Sequence, residues 1–161
     1  MLTAKMLDAR FSENYRQIRQ AITPITHSES LRPPLPGLNP LHWLVGHVVV
    51  SRANFLTLLD VPSIWPWEIC KLFIPGSRPT AESAAAIPFE ALRHDLERTQ
   101  KLLLAALART GPDALAALHD ERPLADHLLE YATHEAFHAG QITLLQQILT
   151  AGSTPDTTQH K

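Results

Sequence analysis

Large apolar residues recur at helical spacing from the start of the chain. Leu7, Phe11, Ile18 and Ile22 share one stripe, with Arg10, Glu13, Arg16 and Arg19 off it. The pattern predicts an amphipathic helix over residues 2–22, stopped near Pro24 because proline cannot continue a helix interior. After a stretch of breakers (Pro33, Pro34, Pro36, Gly37), Asn39-Pro40 reads as an N-cap followed by a first-turn proline. The helix it opens, residues 40–59, is apolar almost all round, which predicts burial on most sides. A third stripe (Phe89, Leu92, Leu96, Leu103, Leu107) follows Pro88, and Gly111-Pro112 closes it as a C′ glycine and proline would. The fourth helix runs from about Pro123 to Thr150 with Gly152 as its stop. Tyr131, His134, Phe137, His138, Gln141, Leu144, Leu145 and Ile148 lie on one of its sides.

Between these helices, residues 60–87 are broken by Pro62, Pro66, Pro75, Gly76 and Pro79, yet carry Trp65, Trp67, Leu72, Phe73 and Ile74. A loop so apolar either lids a pocket or packs plainly against the helices. Residues 113–119 form a helical turn or two, and no stretch alternates as a strand does. The expectation is an all-α four-helix bundle, with long loops between helices one and two and between two and three. It occupies residues 1–152 as a single domain, and the polar tail 153–161 is frayed.

Composition narrows the class. The chain has 161 residues, 45% of them apolar, enough for one buried core. A net charge of −2 with no basic cluster gives no nucleic-acid or anionic-membrane surface. The single cysteine, Cys70, excludes an internal disulfide framework and fits a reducing cytoplasm. The first residues carry charges where a signal peptide needs its apolar run, and no segment approaches the ~20 apolar residues of a membrane span. A soluble cytoplasmic protein is therefore expected. A helix apolar on every side also suggests a homodimer, since a face without cover inside the chain needs a partner.

Chemistry concentrates at His134-Glu135-Ala136-Phe137-His138. Two histidines four residues apart point the same way on a helix, so both imidazoles can reach one metal ion. Both fall inside the apolar stripe, where each imidazole needs a polar partner; a shared metal supplies one to both. The plain alternative is a pair of core histidines satisfied by hydrogen bonds. The letters H-E-x-x-H also spell a zinc-peptidase signature, but that chemistry needs a third, downstream ligand. Beyond His138 only Asp156 and His160 are available, both in the tail. A third ligand must come from upstream, and His47, central in the apolar second helix, is the best candidate. His42 and His127, near helix starts, are candidates for a pocket mouth.

Two segments extend this reading. Asn39-Pro40-Leu41-His42-Trp43-Leu44-Val45-Gly46-His47 and His134-x-x-x-His138-x-x-Gln141 resemble the second- and fourth-helix motifs of the DinB-like family of four-helix proteins. Leu72-Phe73-Ile74-Pro75-Gly76-Ser77-Arg78-Pro79 resembles a loop common in that family. The resemblance implies a divalent metal (Zn, Ni or Fe) held by His47, His134 and His138. It also implies a metal-dependent enzyme that activates water or a low-molecular-weight thiol, as bacillithiol and mycothiol transferases do, or a hydrolase. The other class is a non-catalytic metal-binding bundle, acting as a sensor or interaction module. Around the ligands, Gln141 is expected to support His138 or a substrate, and Trp43 and Tyr131 to wall the pocket. Glu135 is a candidate general base, set against an exposed helix glutamate or a dimer contact.

Overall fold

The computed structural model describes residues 2–77 and 86–151. The last two residues of the expected loop motif, Arg78-Pro79, the stop at Gly152 and the tail 153–161 lie outside the described residues. The elements run α1 (Ala4–Ile22), α2 (His27–Ser30), α3 (Leu41–Thr57), α4 (Trp67–Cys70), α5 (Phe89–Leu107), α6 (Pro112–Ala116), β1 (Leu118–His119), β2 (Arg122–Pro123) and α7 (Leu124–Ala151). The four long helices α1, α3, α5 and α7 make the all-α bundle that the apolar stripes predict. Packing of α1 on α7, α7 on α3, α3 on α5 and α5 on α1 sets their order round the axis, which the loop lengths could not. No helix of the described residues is long and apolar enough to cross a membrane.

Local signals were read correctly in kind but not always in place. Thr3 caps α1, its side chain accepting from the Met6 amide. At α3 the cap is Pro40 rather than Asn39, with extended ψ of 163° and no side-chain bond. Thr26 and Glu29 form a reciprocal capping box that starts α2, inside what read as plain loop. Gly111-Pro112 does not close α5, which is capped at Ala108. It opens α6, with Gly111 as N-cap and Pro112 in the first turn. After α6 the chain makes a small hairpin instead of a further helical turn, pairing Leu118 with Pro123 and His119 with Arg122. Its two turn residues, Asp120 and Glu121, have φ of 47° and 66°, the positive-φ pair that a two-residue hairpin turn requires.

The core consists of two apolar clusters with a polar layer between them. One holds Ile18 and Ile22, Leu41 to Val50, Phe73, Leu92, Leu96 and the second half of α7. The other holds Leu7, Phe11, Phe55, Leu103, Leu107 and the first half of α7. Each long helix sends a buried polar side chain between them: Asn14 from α1, Arg52 from α3, Thr99 and Gln100 from α5, Glu135 from α7. Arg52 is wholly buried and donates to both Glu135 oxygens at 2.6 and 2.9 Å, and to the Leu96 carbonyl at 3.0 Å. Asn14 donates to the Ala132 carbonyl at 2.9 Å.

Two expectations change here. On α3 every residue except Ser51, Asn54 and Thr57 is buried within the one chain. Its all-round apolarity is thus satisfied internally, and the argument for a homodimer from that helix falls away. On α7 the buried residues are Leu124, Leu128, Ala132, Glu135, His138, Ala139, Ile142, Leu145 and Leu149. Of the side that carries the histidines only His138 and Leu145 are buried, whereas Phe137, Leu144 and Ile148 are exposed.

Removing one partner of a buried ion pair leaves the other charge uncompensated, at about 3–5 kcal/mol. Arg52→Met alone is expected to destabilise the protein by that order in urea unfolding, and Arg52→Met with Glu135→Leu by much less. A single-variant loss below about 1 kcal/mol would show that the pair is not the tie described here.

Candidate metal centre

His47 projects from the middle of α3, and His134 and His138 from successive turns of α7. Because α3 and α7 pack together, the three imidazoles meet, with ligand atoms all within 4.8 Å of one another. His134 Nε2 lies 3.1 Å from His138 Nε2 and 3.4 Å from His47 Nε2. Three nitrogens each bound at about 2.0–2.1 Å to one ion stand roughly 3–3.4 Å apart, so these separations suit a shared cation.

The hydrogen bonds behind the rings decide which nitrogens are free. His47 Nδ1 is 2.7 Å from the Phe73 carbonyl, which can only accept, so that nitrogen carries the proton. His138 Nδ1 stands 2.7 Å from Gln141 Oε1 in the same relation. Each neutral ring therefore presents an unprotonated Nε2 to the centre. His134 can donate one proton to one of them; the other contact sets lone pair against lone pair. A cation resolves that conflict, and backing by a carbonyl and an amide oxygen is what ligating histidines ordinarily have.

Electrostatics favour the same state. Burial pushes the His138 imidazole down to about 4, against the raising effect of Gln141, and the neighbouring His134 and His47 push the same way. Burial likewise lowers His47, more than its bond to Phe73 raises it. Both rings stay neutral near pH 7, as metal binding requires.

The loop after α4 completes the arrangement. Phe73 is fully buried against α3, at the one position where the helix has no side chain to obstruct it. A Cβ on Gly46 would lie 2.2 Å from the Phe73 ring. That close approach aims the Phe73 carbonyl at His47. Trp43 stacks flat on His47, centroids 4.8 Å apart and planes 7° from parallel. Its Nε1–H donates to Ser77 Oγ at 2.9 Å, and Ser77 in turn donates to the Leu72 carbonyl. The apolar loop therefore packs on α3, and its Pro75 and Gly76 form a rim of the cavity over the histidines. That cavity measures about 560 Å³, and its walls include Leu38, Trp43, Leu44, Leu144 and Leu145 besides Gln141.

Among the expected pocket residues, the structure brings His47, His134, His138, Gln141 and Trp43 to this one cavity. Tyr131 lies beyond His134 in a second, smaller cavity, tilted against Phe55 at 5.1 Å. His127 also lines that second cavity, whereas His42 is buried and bonded through Nε2 to the Ile87 carbonyl at 2.9 Å. Glu135 is neither an exposed glutamate nor at the cavity: it is buried, its carboxylate engaged by Arg52. With both oxygens taken by a guanidinium on the core side, it is not placed to accept a proton at the histidines. Three participants were missed from sequence. A lone Arg52 in an apolar helix was a legible sign that a buried anion faces it. The Phe73 carbonyl left no signal, being backbone. Asn39, taken as a cap, lines the cavity instead.

A helical bundle with three convergent histidines at an apolar cavity defines a class of candidate open metal centre. Residues 10–142 match the model of the DinB superfamily. The chain belongs to that family. A crystal structure of a conserved protein from Enterococcus faecalis has the same fold, with a TM-score of 0.75 over 94% of this chain and 99% of that one, at 15% identity. No curated protein matches the sequence.

Two outcomes test this geometry. Gly46→Ala is expected to displace Phe73, costing about 1–3 kcal/mol as overpacking does and weakening metal uptake; unchanged stability and loading would separate Gly46 from the site. In metal-free protein, His138 and His47 resist protons that the unfolded chain accepts. Stability is therefore full above pH ~6.5 and falls as pH drops towards about 4, the His138 value. Thermal midpoints across that window check the sign, and a flat profile would contradict it.

Proposed function

We propose that the protein is a divalent-metal-dependent enzyme in which His47, His134 and His138 hold Zn, Ni or Fe. On this reading it acts on a small molecule in the apolar cavity above them, by thiol transfer or by hydrolysis. The observation that carries the reading is the convergence of three imidazoles beside that cavity, two of which, His47 and His138, turn an unprotonated Nε2 to the shared point. Three protein ligands leave positions open, the pattern of a catalytic rather than a closed structural site. A divalent ion there would lower the pKa of water or of a thiol, supplying a nucleophile near neutral pH.

The chain's own residues supply the rest. Phe73 and Gln141 hold the imidazole tautomers, and Trp43 fixes the plane of His47. Leu38, Leu44, Leu144 and Leu145 exclude water and favour an apolar substrate group. Among the described residues no acidic side chain lines this cavity, so proton transfer there falls to solvent or to the substrate itself. A low-molecular-weight thiol fits this reading as cosubstrate, because thiolate binds soft and borderline divalent ions well. A non-catalytic sensor is the second reading; the substrate-sized cavity over the histidines favours the enzyme.

Metal analysis of purified protein is expected to give about one ion per chain, lost in His138→Ala. Gln141→Ala should lower metal affinity by about 10–100-fold, the usual effect of removing a partner behind a ligand. Loading unchanged in His138→Ala would sink the site. Thiol-conjugation assays with several cofactor thiols and electrophiles separate transfer from hydrolysis.

A further inference from the structure

The groove between α3 and α7 does not end at the histidines. Trp43 and Leu145 line the first cavity and Asn54 and His127 a second, while His47 and His134 line both. The second cavity, about 390 Å³, begins on the far side of this pair and shares His47, His134 and Pro75 with the first. The two are successive compartments of one groove with the histidine cluster as their common wall.

Their chemistry differs. The first compartment is walled by leucines and Trp43. The second is lined by Val50, Ile74 and Pro75 but adds Ser51, Asn54, Tyr131, Arg122 and Glu130, so it alone of the two carries charged side chains of both signs. Ser51 and Asn54 are two of the three residues of α3 that are not buried, and both open onto this space. Arg122 reaches it from the hairpin, whose turn holds two non-glycine residues at positive φ. Arg122 Nη1 donates to Glu130 at 3.0 Å, with half or more of each side chain exposed. So exposed a pair contributes little to stability and is readily exchanged for ligand contacts.

That pairing selects the ligand. A simple anion at Arg122 would sit beside the like-charged Glu130 carboxylate and be repelled by it, and a simple cation at Glu130 would meet the guanidinium in the same way. A molecule with both a carboxylate and an ammonium group gives each charge a new partner. We propose that the second compartment is a binding subsite for a small zwitterion of the amino-acid type, its carboxylate on Arg122 and its ammonium on Glu130. Its remaining substituent points along the groove to His47 and His134. The inference rests on the metal-centre reading only for what that substituent meets; recognition of the two charges needs no metal.

The test is an NMR titration of the full chain, metal-free and zinc-loaded, with L-serine, and with acetate and ethylammonium as single-charge controls. L-Serine is expected to shift the amides of Ser51, Asn54, Glu130 and Tyr131 and to bind at least about fivefold more weakly to Arg122→Gln and to Glu130→Gln. Both substitutions are at exposed positions and leave the fold intact. The controls should bind more weakly than L-serine. Shifts mapping to Leu38 and Leu144 instead, wild-type affinity in both variants, acetate binding as well as L-serine, or no L-serine binding would each overturn the proposal. Protein that takes up no zinc but still loses L-serine on Arg122→Gln sinks the metal reading alone. Protein that loads zinc and ignores L-serine sinks this inference alone.

Discussion

Arg52 and Glu135 place a full ion pair in the middle of the bundle, and the meeting of the histidines depends on it. Burying two charges is tolerable only when geometry is close and the remaining polar atoms are bonded. The guanidinium meets this by bridging both carboxylate oxygens and the Leu96 carbonyl. Apolar packing alone permits one helix to slide or rotate past another at modest cost. A bidentate pair does not, because a shift of a few ångströms would leave a buried charge unpaired. Arg52 lies five residues after His47 and Glu135 directly after His134. The register that satisfies the pair therefore also brings His47 to the α7 histidines.

The centre itself is built from groups of opposite tendency. Burial drives the imidazoles towards neutrality, while the Phe73 carbonyl and Gln141 oxygen fix the protons on their outer nitrogens. What remains is a concentration of lone pairs that no proton inventory of the three rings can satisfy in full. Such a cluster is unfavourable as plain core and favourable as a cation site. The loop that supplies the carbonyl also forms the rim of the cavity, so the same short segment orients a ring and shapes the space above it.

Much of this was legible in the residues. The four stripes marked the four long helices, and the spacing of His134 and His138 put two imidazoles on one side of a turn. The wrong inferences came where a residue type has two common uses. Asn39 and Gly111 are good helix-boundary residues, but which boundary they serve depends on where the neighbouring chain goes. Glu135 carries the letter of a catalytic base, yet its side chain follows α7 round to the core, where an arginine waits. The stripe of α7 was misplaced because small residues and a glutamate form its buried edge, and these do not stand out by hydropathy.

By itself the sequence determined the helical class, the family resemblance and the identity of the three histidines, because periodicity and short motifs are properties of neighbouring residues. Only the tertiary structure decided that Glu135 belongs to Arg52, that a backbone carbonyl from a loop backs His47, and that His47 and His134 line two cavities at once. Those facts arise from contacts between residues far apart in the chain, several of them made by backbone atoms common to every residue, and no local pattern encodes such partners.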